Sequence, residues 1–265
     1  TTIKLLSDCS GDGIIVPEGK NIVFDFGGHT YTISGEAVGS TGTESNGFQL
    51  LKDSTIVMQN GEIIANHYTV KFVIQNYSNL TLNNMTIDAN KGSNNVSYVM
   101  SNNCGDVHIT GNTSLTAKAN GVAFDVCDYE AYTGVTVTVD TTGTITGEVE
   151  VSNPNHNDSN EQLVIKSGNF VGSFDIQDTN QPVEITGGSF KNTDGTANKD
   201  VAKYFPPDQA LTVDDNGNVV SDPARNVASV NGVPYKGLAE ALAAAEDSDI
   251  VELNSNITVD LSTFG

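Results

Sequence analysis

The chain has 265 residues, a formal charge of −21 from 33 acids against 12 bases, and one arginine, Arg225. Nucleic acid is bound largely through neutralised phosphates, and anionic membrane surfaces attract basic clusters, so both are excluded as partners. Trp is absent and hydrophobic residues make up only 37%, yet they arrive in alternating runs, which reads as folded β structure rather than disorder.

No run approaches the roughly 18 consecutive apolar residues of a membrane span. With no initiator Met or signal peptide, the chain reads as a processed or excised fragment. Near its start, Asp8, Ser10, Asp12 and Gly13 match the first half of a Ca²⁺ loop, where alternating oxygens face inward. Gly19 stands where the closing bidentate Glu belongs and Glu18 is one residue short. The expectation is a polar turn with no cofactor, Ca²⁺ being the alternative.

A short pattern then recurs: apolar, any, apolar, two polar or small residues, a spacer, apolar. It appears at Phe24–Tyr31, Ile56–Ile63, Leu80–Ile87, Leu163–Phe170 and Val183–Phe190, with copies one residue longer at Val107–Leu115 and Val137–Ile145. Successive copies start between 20 and 32 residues apart, a coil length. Each is a strand, a tight turn where Gly or Asn accepts positive φ, and a second strand. A unit this small buries its apolar face only by stacking on its neighbours. The expected fold is therefore all-β, a right-handed parallel β-helix, with a β-sandwich as runner-up. Asn60, Asn83, Asn84, Gly111, Gly187 and Gly188 fall at the corners, where amides can form ladders. Val38–Gly47 and residues 153–160 read as projecting loops.

Cys9, Cys104 and Cys127 are too few for a disulfide scaffold and read as free buried thiols. Cys104 and Cys127, 23 residues apart, are the alternative, a pair on neighbouring coils within reach of a bridge. Past the last copy, Tyr204–Val220 carries an Asp-Asn-Gly-Asn turn, a hairpin signal. Residues 228–259 read as strand, helix, strand, with Leu238, Ala241, Leu242 and Ala245 as the apolar stripe of the one short helix. The expected division is 1–200 β-helix, 201–226 hairpin and linker, and 227–265 the start of a following repeat or a cap. Ile250–Ile257 aligns with Thr2–Cys9 at an offset of 248, placing Val251 on Ile3 and Leu253 on Leu5. That match predicts that residues 228–265 either fold back or complete a neighbour's open sheet end, the second giving head-to-tail self-association.

Residues 21–33, 183–192, the hairpin and residues 231–259 together resemble the tandemly repeated cell-surface proteins of gut Gram-positive bacteria. The resemblance implies a right-handed β-helix of the pectate-lyase-like fold, displayed outside a bacterial cell, with relatives proposed as adhesins or immunoglobulin-binding superantigens.

That fold also carries polysaccharide lyases and glycoside hydrolases, and fold does not assign function. A lyase wants clustered acids holding Ca²⁺ beside a cationic base, but Arg225 lies outside the repeats, and a charge of −21 repels uronates. A glycosidase needs two carboxyls across the scissile bond. Asp25, Asp88, Asp125 and Asp175 lie near strands without forming a pair motif, and Asp214 and Asp215 read as turn residues. The four histidines show no ligand spacing, and His29 reads as a structural hydrogen-bonding residue. The expected function is a noncatalytic extracellular stalk and adhesin-type module for a host surface protein, immunoglobulin, mucin or glycan. The alternatives are a carbohydrate-active enzyme or a pure spacer. The expected contact loops are residues 38–47, 91–103, 127–133 and 153–160, with Tyr98, Tyr129, Tyr132, Asn155, His156 and Asp158 as binding residues.

Overall fold

The computed structural model describes residues 1–128, 132, 134–153, 161–177 and 182–257. The protein is a right-handed parallel β-helix. On the first face, Thr2–Lys4, Asn21–Asp25, Thr55–Ala65, Asn79–Asp88, Gly105–Gly111, Val135–Thr146, Glu161–Val171 and Val183–Ile185 stack in that order. The four longest of these run on through the corner onto a second face, which Cys9–Gly11, Thr30–Ile33, Ser114–Thr116 and Ser189–Lys191 complete. A third face holds seven strands, Ile14–Val16, Asn46–Leu50, Phe72–Asn76, Tyr98–Asn102, Val122–Cys127, Glu148–Ser152 and Phe174–Ile176. Every named strand pair in these faces is parallel, which rules out the sandwich. Parallel neighbours cannot be joined by a tight hairpin, so the chain must travel round the other faces before it returns.

The repeats stack in register. Ile56 lies opposite Leu80, Leu80 opposite Val107, Val107 opposite Val137, Val137 opposite Leu163, and Leu163 opposite Val183. All six are at most 9% exposed and form one apolar column of the core. The first copy departs from the expected alignment, because Phe24 pairs with Met58 rather than Ile56, while Tyr31 still meets Ile63. Its corner, Phe26–His29, is two residues longer than the Asn60–Gly61 corner of the next coil and turns on two positive-φ glycines, Gly27 and Gly28.

The third face was not read from the sequence. Part of the expected loop 91–103 is the strand Tyr98–Asn102, and Asn46 and Gly47 open the strand Asn46–Leu50. The first rung, Thr2–Val16, is likewise a coil, although it carries no copy of the repeat pattern.

The helical end is closed by a 3₁₀ segment, Lys199–Tyr204, and a hairpin, Leu211–Val213 with Val219–Ser221. Val201, Tyr204 and Val213 join the main core. Asp214 accepts from the backbone N–H groups of Asn216 and Asn218, each at 2.8 Å, and so shapes the expected turn. Beyond it, Ala228–Val230 is the centre of an antiparallel sheet with Val233–Tyr235 and Val251–Leu253, backed by the helix Leu238–Ala244. Ala241 is buried there with Ala228, Val230 and Tyr235, and Leu238 and Ala245 pack on them. Leu242 departs from the expected stripe and is 44% exposed, because one short helix over three short strands covers only one side.

At the corners, Asn60 and Asn84 adopt φ of 60° and 55°. The Asn84 amide donates to Asn60 Oδ1 and the Asn60 amide to Asp25 Oδ1, each at 3.3 Å, and Asn84 Oδ1 accepts from Asn112 N at 3.1 Å. Asn84→Ala should cost roughly 1–2 kcal/mol, since alanine is strained in the left-handed region and the ladder loses its middle. Asn84→Gly relieves the strain alone and should cost less. Urea unfolding checks this, and equal midpoints for parent and Asn84→Ala would refute it.

Candidate functional site

The corner that makes the ladder also makes a groove. Where the chain turns from the first face to the second, Gly28, Thr30, Asn60, Gly61, Glu62, Asn84, Thr86, Lys91 and Asn112 line a shallow, open groove of about 710 Å³. Gly61 admits no side chain, as any Cβ there would collide with Phe26 Cβ and the His29 carbonyl of the preceding coil. Glu62 and Thr86 sit opposite each other on adjacent rungs, and Thr86 is opposite Ser114 on the next. The Thr30 hydroxyl donates to Glu62 Oε2 at 3.2 Å and Lys91 Nζ to Glu62 Oε1. Lys91 ends a 3₁₀ turn that Asp88 caps by accepting from Asn90 N at 2.9 Å. The hydrogen bond with Glu62, and then its charge, hold the Lys91 ammonium above its ordinary range. Glu62 and Lys91 neutralise each other, so the groove presents amides, hydroxyls and one internal ion pair. Its polar groups repeat at the strand spacing of about 4.8 Å.

A second polar cluster lies on the third face. Gln75 pairs in register with Ser101, and Asp125, Glu150 and Asp175 follow on the next rungs. Asp125 is 6% exposed, and it accepts from Asn102 N at 2.5 Å and from Ser101 Oγ at 2.8 Å. Burial pushes its carboxyl up to about 7, Glu150 adds to the rise, and those two hydrogen bonds oppose it. Glu150 is half-buried and also raised, by burial first and by Asp175 and Glu148, while the bond from Tyr98 opposes. Tyr98 Oη donates to Glu150 Oε2 at 3.1 Å. Burial and this carboxylate raise the Tyr98 phenol far above its usual value, so it stays a donor.

Two perturbed carboxyls on adjacent rungs are the arrangement a glycosidase would use. The sequence showed Asp125 and Asp175 but no pairing, because residues 25 apart meet only through the coil period. Yet both Asp125 oxygens are occupied by donors from its own chain, and its exposure leaves no face for a sugar oxygen. A general acid must reach the leaving group directly or through one water. The cluster therefore reads as a structural network whose exposed end is Asp175 and Gln177, which are joined at 2.9 Å.

The other expected site residues are scattered. Asp8 Oδ1 accepts from Thr30 N and Asp12 Oδ1 from Glu36 N, both at 3.0 Å, and Ser10 lies opposite Thr32 within a strand. Both carboxylates thus satisfy backbone N–H groups of the following coil. Tyr98 stacks on Phe72 with ring centroids 5.0 Å apart, and Tyr132 packs on Tyr77 at 4.6 Å. Tyr129, Asn155, His156 and Asp158 lie outside the described residues. All three cysteines are free thiols, so Cys104 and Cys127 are not bridged, and Cys9 is exposed rather than buried. Burial lifts the Cys127 thiol to about 11, which keeps it protonated and unreactive. His29 Nδ1 lies 3.3 Å from Asp8 Oδ1, in a corner contact. No sequence motif marked the groove as a site. The available signal is the Asn60 and Asn84 corner, whose spacing points to a ladder and not to a groove. Compared with known proteins, the chain matches no family model, no curated protein and no solved structure.

Proposed function

We propose that the chain is a noncatalytic module of an extracellular bacterial surface protein, of the tandem-repeat kind its sequence resembles, and that it binds a linear neutral glycan along the corner groove. The observation that carries this reading is the groove itself, where Asn60, Asn84, Asn112, Thr30 and Thr86 bring amides and hydroxyls together on successive rungs. Such groups donate to and accept from sugar hydroxyls at once, and a chain of pyranoses offers them at regular intervals. The charge of −21 disfavours uronate or sulfated polymers. The solenoid holds the groove rigid, so little ordering opposes binding.

Calorimetric titration of the full chain with neutral oligosaccharides of increasing length tests this. Affinity should rise with length until the groove is spanned, and Thr86→Arg, an exposed substitution that fills the groove, should weaken it by about tenfold or more. Binding untouched by Thr86→Arg would remove the groove from the account. A blank on all glycans, immunoglobulin and mucin would leave a spacer. Release of reducing ends, abolished by Glu150→Gln, would replace the noncatalytic reading with a carbohydrate-active enzyme.

A further inference from the structure

A second cavity, of about 220 Å³, lies between Phe174 of the third face, Asn192, Asn198 and the 3₁₀ segment Lys199–Tyr204. It shares no residue with the corner groove. It is smaller than the roughly 300–1,000 Å³ of sites for drug-sized ligands, so its occupant is small. Tyr204 lines it, is only 6% exposed, and makes no hydrogen bond through its phenol among the described residues. Leaving such a hydroxyl unmet is costly, and a partner from outside the chain would satisfy it.

The remaining polar groups of the cavity are also only partly used. Asp200 and Lys203 stand three residues apart on the 3₁₀ segment, a spacing that puts them on one side of it. Among the described residues neither takes part in an ion pair, and Lys203 Nζ lies over the Tyr204 ring instead, 4.9 Å from its centroid. Asn198 Oδ1 accepts from Asp200 N at 3.2 Å, and Asn192 Nδ2 donates to Thr196 Oγ1 at 3.0 Å. The other end of each amide is left over, Asn198 Nδ2 as a donor and Asn192 Oδ1 as an acceptor.

We infer that this cavity binds a free α-amino acid with a short apolar side chain. Three acceptors, the Asp200 carboxylate, Asn192 Oδ1 and Tyr204 Oη, answer the three N–H groups of an ammonium. Lys203 and Asn198 Nδ2 are the donors for a carboxylate, and Phe174 and Val201 supply apolar surface for the side chain. The two local charges cancel, and a zwitterion carries no net charge for the −21 of the whole chain to repel. A neutral sugar is served less well. It stacks on an open aromatic face, whereas Lys203 covers Tyr204, and Phe174 leans on Phe170 and Phe190 with ring centroids 5.8 and 5.7 Å away.

Calorimetric titration of the full chain with L-alanine, L-valine and L-leucine tests this. Valine should bind saturably, while valine methyl ester and N-acetylvaline, each lacking one of the two charges, should bind about tenfold or more weakly. Asp200→Asn, at an exposed position, and Tyr204→Phe, which keeps the ring, should each weaken valine to a similar degree. Tyr204→Phe removes an unmet hydroxyl, so the ligand-free chain should unfold at the same midpoint or a higher one, and valine should raise that midpoint less than in the parent. No binding of any of the three at millimolar concentration would leave the cavity to water and overturn the inference. So would valine binding that either substitution leaves untouched, an ester that binds as well as the free acid, or galactose that displaces valine. Amino acids and oligosaccharides are titrated separately, so failure of this site and failure of the groove are distinguishable.

Discussion

An Asp125→Asn chain should be at least as stable as the parent at pH 8 and should lose much of the parent's decline in stability between pH 4 and 7. The folded carboxyl titrates at about 7 against an ordinary 3.8, with burial the main cause. Between those values the folded protein holds a proton that the unfolded chain has released, so stability falls as pH rises. Below pH 4 both states are protonated and the contribution is complete. Above about 7 both are ionised and it is gone. Three pH units correspond to a change on the order of 4 kcal/mol. Asparagine cannot ionise, still accepts from Asn102 N, and leaves Ser101 Oγ free to reverse its bond. Glu150 titrates in the same sense and should leave a smaller residual slope. Asp25, Asp194, Asp214, Asp222 and Asp249 are held below the ordinary range and act in the opposite sense, but they are common to both chains and cancel in the difference. Denaturant titrations at several pH values decide the matter, and identical slopes for the two chains would refute the buried-proton account.

Phe190→Ala is the other large expected effect, a loss of roughly 3–5 kcal/mol. Phe190 is fully buried, stacks on Phe170 at 4.9 Å and 8°, and meets Phe174 at 5.7 Å. Its removal takes away aromatic contact area and leaves a cavity where the last rung meets the closing hairpin. In a solenoid each rung contacts only its neighbours, so the damage should stay local. Hydrogen exchange should accelerate over residues 183–221 while residues 80–109 remain protected. Phe190→Leu should cost less than half as much, because most of the volume is retained. A uniform loss of protection along the chain, or a cost under about 1 kcal/mol, would show that the rungs unfold together or that the stack is not what holds the end.

The strand–corner–strand unit was legible because its chemistry is local. Alternating apolar residues such as Leu80 and Leu82, then an Asn or Gly able to take positive φ, specify both arms of a coil within eight residues. The third face was not, because FVIQN and YVMSN are short, sit inside polar stretches, and place Asn76 and Asn102 in fully buried positions. Those amides are tolerated only because Asn76 donates to Asn102 Oδ1 on the next rung and Asn102 to the Asp125 carbonyl, partners 23 to 26 residues away. The two-residue misalignment of the first copy has a similar origin, since apolar spacing alone does not reveal how many residues a corner absorbs.

The same division holds for the sites. The sequence by itself determined the parallel β-helix, the corner ladder and the closing hairpin, since periodicity and turn chemistry act between near neighbours. Only the tertiary structure decided that Glu62, Thr86 and Lys91 share a groove with the corner amides, and that Asp125, Glu150 and Tyr98 form one partly buried network. These groups meet through the coil period, and that period varies from turn to turn with the insertions between strands, so spacing in the chain does not reveal which side chains become neighbours.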